Sequence, residues 1–180
     1  SMAATSTVTE AGGVQAVGEV TLTITGTGAG TFALGRGVVV SADVTQTGGT
    51  ATLGTDYAAF GIQKVTFDGG AVDGTVATGA TQNAALTAVE DVLLEGSETV
   101  DLTLGNLVKP TEVAASLGET ANVTTITDNE SATLSIASLS PVTEAGGVQA
   151  VGLVTLTILG TGSGTFALGR GVVVSADVTQ

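Results

Sequence analysis

Along much of this chain apolar and polar residues alternate one by one. Val20, Leu22 and Ile24 are interleaved with Thr21, Thr23 and Thr25, and Val154, Leu156 and Ile158 repeat the pattern. A period of two is the signature of a strand with one buried face. The same alternation predicts strands over 37–45, 97–104, 121–127 and 132–138, and weaker ones over 57–67 and 83–89. Turn signals fall between them: Gly12-Gly13, Gly26 to Gly30, Gly48-Gly49, Asp68-Gly69-Gly70 and Gly105-Asn106. Only TEVAASLG, residues 111–118, fits a short helix, and it fits a loop equally well. About seven strands separated by turns predict an all-β protein, an antiparallel β-sandwich.

The chain repeats itself. Residues 8–46 and 142–180 differ at three positions only: Glu19 against Leu153, Thr25 against Leu159, and Ala29 against Ser163. Glu10 recurs as Glu144, a period of 134 residues. That length marks a whole domain repeated, since solenoid coils repeat every ~20–50 residues. Residues 1–130 are expected to form one domain, and 131–180 the first strands of the next tandem copy. Neighbouring repeats of the same protein are thus expected partners. Because 8–46 and 142–180 are nearly interchangeable, they compete for one place in a sandwich. That leaves two registers open, with strand exchange within a chain or between chains. Glu19→Leu153 and Thr25→Leu159 fall on the outward side of their strand, through neutral drift or because a neighbour covers the second copy there.

Composition narrows the chemistry. Phe32, Tyr57, Phe60, Phe67 and Phe166 are the whole aromatic complement, so the core is built from Val, Leu, Ile and Ala. There is no Cys and no His, which rules out a Cys₂His₂ zinc site, a thiol nucleophile and a Ser-His-Asp triad. Seventeen acidic residues face four basic ones (Arg36, Lys64, Lys109 and Arg170), for a net charge of −13. Such a surface repels phosphate backbones and anionic headgroups, so neither nucleic acid nor a membrane surface is an expected partner. It attracts cations, and it also keeps a protein soluble. No apolar run is long enough to span a bilayer, and no signal-peptide pattern is visible.

The carboxylates gather at strand ends. Glu10 lies in TEAGG, Asp56 in GTATLGTDY, and Glu90, Asp91, Glu95 and Glu98 in VEDVLLEGSE; Asp128 and Glu130 flank Asn129 in ITDNE. Alternate loops of a sandwich meet at one end, where eight carboxylates repel one another unless a cation joins them. Ca²⁺ accepts the irregular shells of six to eight oxygens that loops provide, and this many groups predicts more than one ion. The alternative is a set of separately solvated loop side chains.

GTATLGTDY, EDVLLEGSETVDLTLGN and NVTTITDNE, in that order, resemble the conserved segments of Calx-β domains. The resemblance covers residues 8–130 and restarts at 131–180. It implies a seven-stranded, immunoglobulin-like sandwich, a fold found in sodium–calcium exchangers, integrin β4 and long arrays on bacterial surface proteins. It also implies Ca²⁺ ligands: Glu10, Asp56, Glu90, Asp91, Glu95, Glu98, Asp128 and Glu130, with Asn129 serving through an oxygen. Here Glu90-Asp91 stands for the family's Asp pair, DNE for its terminal Asp run, and 68–82 is longer than the usual hairpin. Asp68 and Asp73 in that insertion read as turn residues.

The function expected from these features is a calcium-binding structural spacer in a repetitive extracellular adhesin on a bacterial cell surface. A Ca²⁺-sensing domain of a membrane transporter and a ligand-binding adhesion module are the alternatives. Glu95 and Glu98 resemble a glycosidase pair in residue type alone, with no aromatic sugar platform beside them, so no enzyme is expected.

Overall fold

The computed structural model describes all residues except Ser140 and Gln180. The chain divides into two compact units: residues 1–90 with 97–127, and residues 91–96 with 128–180.

The first unit is a β-sandwich. Its larger sheet contains β1 (Thr5–Thr9), β3 (Val39–Gly49), β4 (Gln63–Asp68), β7 (Glu98–Val108) and β8 (Ala121–Thr127), ordered β1-β8-β7-β3-β4. Every pairing in it is antiparallel except β1 with β8, which run parallel. The second sheet pairs β2 (Val14–Thr21) with β5 (Thr81–Thr87). Val8, Val17, Val44, Leu86, Val100 and Leu102 fill the space between the sheets and are almost wholly buried. Small, β-branched side chains dominate this core because the chain offers so few aromatic rings. Tyr57 and Phe67 are the exceptions: both rings are buried, and the Tyr57 hydroxyl accepts a hydrogen bond from the Gln46 side chain at 2.5 Å.

The expected strands form, with shifts that have local causes. Of the alternation at 20–24 only Val20 and Thr21 pair as a strand, at the end of β2, which starts earlier, at Val14, and is interrupted by a bulge between Val17 and Val20. Gly18 takes φ +55° there, a conformation that suits glycine, and its N–H bonds to the Ser6 hydroxyl at 2.9 Å. The stretch expected over 57–67 pairs as a strand only from Gln63. Residues 111–118 are a loop: Pro110 precedes it, and Leu117 packs against the core. Together with residues 20–25 this loop lines a cleft of about 500 Å³. Among the described residues, helical geometry is confined to two 3-10 turns, Glu10–Gly12 and Glu144–Gly146. Asp73 is a turn residue and accepts the Arg36 N–H at 2.6 Å, whereas Asp68 is the last residue of β4 and accepts the Gly70 N–H at 2.8 Å as the chain leaves the strand.

The second unit is smaller. β9 (Ser131–Ser138) and β10 (Gly152–Leu159) form an antiparallel hairpin. β6 (Leu93–Leu94) pairs in parallel with β11 (Ala167–Leu168). Leu153, Val154, Leu156 and Leu159 on β10 are exposed.

A buried polar node fastens the N-terminal strand of the first unit. Asn122, 1% exposed, donates to the Ala3 carbonyl at 2.8 Å and to the Ser6 hydroxyl at 3.0 Å, and accepts from the Thr124 hydroxyl at 2.7 Å. Removing one partner leaves buried groups without a bond, which costs ~1–3 kcal/mol per group. Asn122→Ala is therefore expected to lower stability by about 2 kcal/mol, read as a lower urea midpoint at unchanged m-value. An unchanged midpoint would show that the node contributes nothing net.

Candidate metal centre

In the first unit Glu10 opens the 3-10 turn between β1 and β2 and is 5% exposed. Gln15 shapes that turn by bonding both backbone groups of Thr9, accepting its N–H at 3.1 Å and donating to its carbonyl at 2.7 Å. Gly13, at φ +58°, closes it.

Asp56 is 4% exposed and sits in a loop folded on itself. Its own N–H donates to the Thr52 carbonyl at 3.0 Å, while its carboxylate accepts the Thr52 N–H. Gly54, at φ +86°, donates to the Tyr57 carbonyl and tightens the loop. The Asp56 carbonyl in turn accepts the Val89 N–H at 3.0 Å, holding the chain just before Glu90. Glu98 begins β7, in register with Ile126 of β8. A carboxylate oxygen of Asp56 and one of Glu98 lie within 4.8 Å of each other. Two like charges at that separation repel by about 3 kcal/mol at an effective dielectric constant near 20. A divalent cation between them turns the repulsion into attraction.

In the second unit Asp128 is the organiser. One of its carboxylate oxygens accepts the Glu95 N–H at 2.5 Å and the other the Glu130 N–H at 2.7 Å. It thus ties the 91–96 segment to the start of β9. Asp91 caps the same segment, accepting the Leu93 N–H at 2.7 Å. Carboxylate oxygens of Asp128 and Glu130 also come within 4.8 Å. The Asn129 side-chain amide donates to the Thr161 hydroxyl.

Of the predicted ligands, Glu10, Asp56, Glu90 and Glu98 therefore belong to the first unit, and Asp91, Glu95, Asp128, Asn129 and Glu130 to the second. Glu144, the repeat's counterpart of Glu10, is exposed. Both close carboxylate pairs consist of hard oxygen donors, which suits Ca²⁺ in preference to softer metals.

Two glycines escape a reading by sequence. A Cβ on Gly160 would stand 2.1 Å from a Glu130 carboxylate oxygen, and one on Gly169 would stand 2.5 Å from the Glu95 side chain. Their counterparts in the first copy, Gly26 and Gly35, instead approach Phe32 and Asp73. The repeated glycines thus meet different neighbours in each copy, which identity of sequence conceals.

No protein-family model matches the chain, and no curated protein sequence does. Among solved structures, CBD12 from CALX1.2 is similar at a TM-score of 0.49 and 21% identity, over 70% of this chain and 42% of that one. The apo-form Calx CBD1 domain is similar at 0.45 and 19%, over 69% of this chain and 90% of that one. The Calx CBD2 domain is similar at 0.45 and 16%, over 69% and 82%. The chain spans less than half the length of the CBD12 structure.

The two charge-assisted bonds to Asp128 define a local test. Each contributes ~1.5–3 kcal/mol. Asp128→Ala should speed hydrogen exchange at the Glu95 and Glu130 amides by about tenfold or more, with Asp128→Asn in between. Unchanged exchange at both amides would remove Asp128 as the organiser of this segment.

Proposed function

We propose that this chain is a Calx-β-type module that binds calcium and serves as a structural spacer in a tandem array. The observation that carries the reading is the pairing of carboxylates, Asp56 with Glu98 and Asp128 with Glu130, inside an all-β protein whose sequence restarts after 134 residues. Calcium would neutralise each pair and stiffen the strand ends that carry it. Glu10 and Glu90 in the first unit, and Asp91, Glu95 and the Asn129 oxygens in the second, are the further proposed ligands, enough for more than one ion.

The proposed setting is a repetitive adhesin on a bacterial cell surface, in calcium-rich surroundings, with neighbouring repeats as the immediate partners. The role is mechanical and not catalytic. Near-identity of the two copies favours a spacer over a transporter's calcium sensor. A spacer needs the same stiffness in each copy, whereas sensing domains gain from differing affinities.

A ligand that binds only the folded state stabilises by about 2.7 kcal/mol at a hundredfold excess over its Kd. Titration calorimetry of Ca²⁺ into the EDTA-treated protein should show binding, and the unfolding midpoint should rise by a corresponding amount. Identical melting curves in Ca²⁺ and EDTA, with no heat of binding, would defeat the proposal.

Glu98→Gln adds a sign test. In EDTA it relieves the repulsion from Asp56 and should leave the protein as stable or slightly more so. In Ca²⁺ it removes a ligand and should reduce the stabilisation by about 1 kcal/mol or more. A variant equally destabilised under both conditions would mean that Glu98 is only a structural residue.

A further inference from the structure

Residues 135–180 carry, nearly side chain for side chain, what residues 1–46 present to the rest of the first unit. Val17, Val20 and Val44 are 1%, 4% and 0% exposed, while their counterparts Val151, Val154 and Val178 are 67%, 51% and 69% exposed. The polar fittings recur as well. Gln149 bonds the backbone of Thr143 as Gln15 bonds that of Thr9. Ile136 pairs with Val154 as Met2 bridges to Val20. Ala137 and Ser140 stand in sequence where Ala3 and Ser6 meet Asn122. Pro141 replaces Thr7 at a tolerant place. The Thr9 N–H is turned to Gln15, and by the two-residue alternation of an edge strand the N–H of residue 7 faces the same outer side, so proline forfeits no ladder bond there.

We propose that the apolar face of β9, β10 and the segment after them docks on a second copy of this chain. It would occupy, on that copy's residues 47–127, the place held by the copy's own residues 1–46.

The occupant is another chain because the tether within one chain leaves almost no slack for the two reversals it would have to make. Met2 donates to the Glu119 carbonyl at 2.7 Å, so the place begins level with the approach to β8. A chain leaving β8 at Thr127 would have to run back about 26 Å, at ~3.3 Å per residue, to bring Ile136 to that level. The intervening residues, fully extended, reach only about 30 Å. Parallel crossovers ordinarily take a dozen residues or more. A segment from a second chain has no such constraint.

Exchange replaces one set of contacts by an equivalent set, so its extent depends on concentration. The resident segment is tethered at an effective concentration on the order of 1 mM. Refolding at about 0.1 mM should therefore exchange roughly a tenth of the chains, and the share should rise with concentration.

The chain has no cysteine, which permits a clean trap. Thr87 of β5 stands opposite Val14 of β2, so an exchanged segment would bring Val148 opposite Thr87. Both Thr87 and Val148 are exposed. The full chain carrying T87C and V148C is refolded at about 0.1 and 1 mM and oxidised, with V14C/T87C as the control that must close within a monomer. The expected result is intermolecular disulfides, as dimers and longer ladders, increasing with concentration. Mixing the single variants should give a T87C–V148C heterodimer in excess of either homodimer. A monomer with an internal disulfide would show that the chain's own second copy takes the place, and would overturn the proposal. So would heterodimers no more abundant than homodimers.

Discussion

The sandwich of the first unit depends on closing a core made of small side chains. With one tyrosine and four phenylalanines in the whole chain, no single bulky anchor can hold the two layers together. Val8, Val17 and Val44 from the N-terminal segment must meet Leu86, Val100 and Leu102 from the later strands, and each is almost completely shielded. Burial of such a side chain contributes ~1.5–3 kcal/mol, so no subset suffices. The core is complete only when residues 1–46 lie against residues 47–127. Asn122 reinforces this by holding the Ala3 carbonyl and the Ser6 hydroxyl from β8.

That requirement makes the repeat physically consequential. The second copy of the N-terminal segment carries the same apolar face, and on β10 that face is exposed. The same residues are thus core in one copy and surface in the other. Burial here follows from whether a partner sheet is present, and local sequence is almost constant. Two of the three replacements, Glu19→Leu153 and Thr25→Leu159, make the second copy more apolar, and both leucines are exposed.

Much of this was legible in the chain's alternation, and the failures have identifiable causes. Strands β3, β7, β8 and β9 fall close to where the period of two put them. β2 was displaced because a bulge at Gly18 breaks the alternation: counting back from Val20 puts Val14 inside, yet Val14 is 70% exposed and Val17 is buried. β1 carries a single buried apolar residue, Val8, too little for periodicity to register. The two-residue strands β6 and β11 lie below the length at which any pattern exists. For the candidate ligands, sequence showed that carboxylates accumulate at strand ends. It could not show that Asp56 accepts a bond from its own loop, or that Asp128 ties together Glu95 and Glu130, because those contacts depend on backbone direction and not on spacing.

The carboxylates also conflict with the rest of the design in an informative way. At many positions of the first unit local preference and tertiary environment agree: β-branched residues in strands, glycine at positive φ, Asp73 at a turn. Glu10 and Asp56 are acidic groups with 5% and 4% exposure in a protein already carrying a net charge of −13. Burying a charge costs several kcal/mol unless it is paired or hydrogen-bonded. The Thr52 N–H relieves part of that cost for Asp56, and the proximity of Glu98 restores some of it. An Asn at position 56 would accept the same Thr52 bond at lower electrostatic cost. Local rules broken at a cost to the fold mark a functional position, and the proposed cation would reverse the sign of the conflict between Asp56 and Glu98.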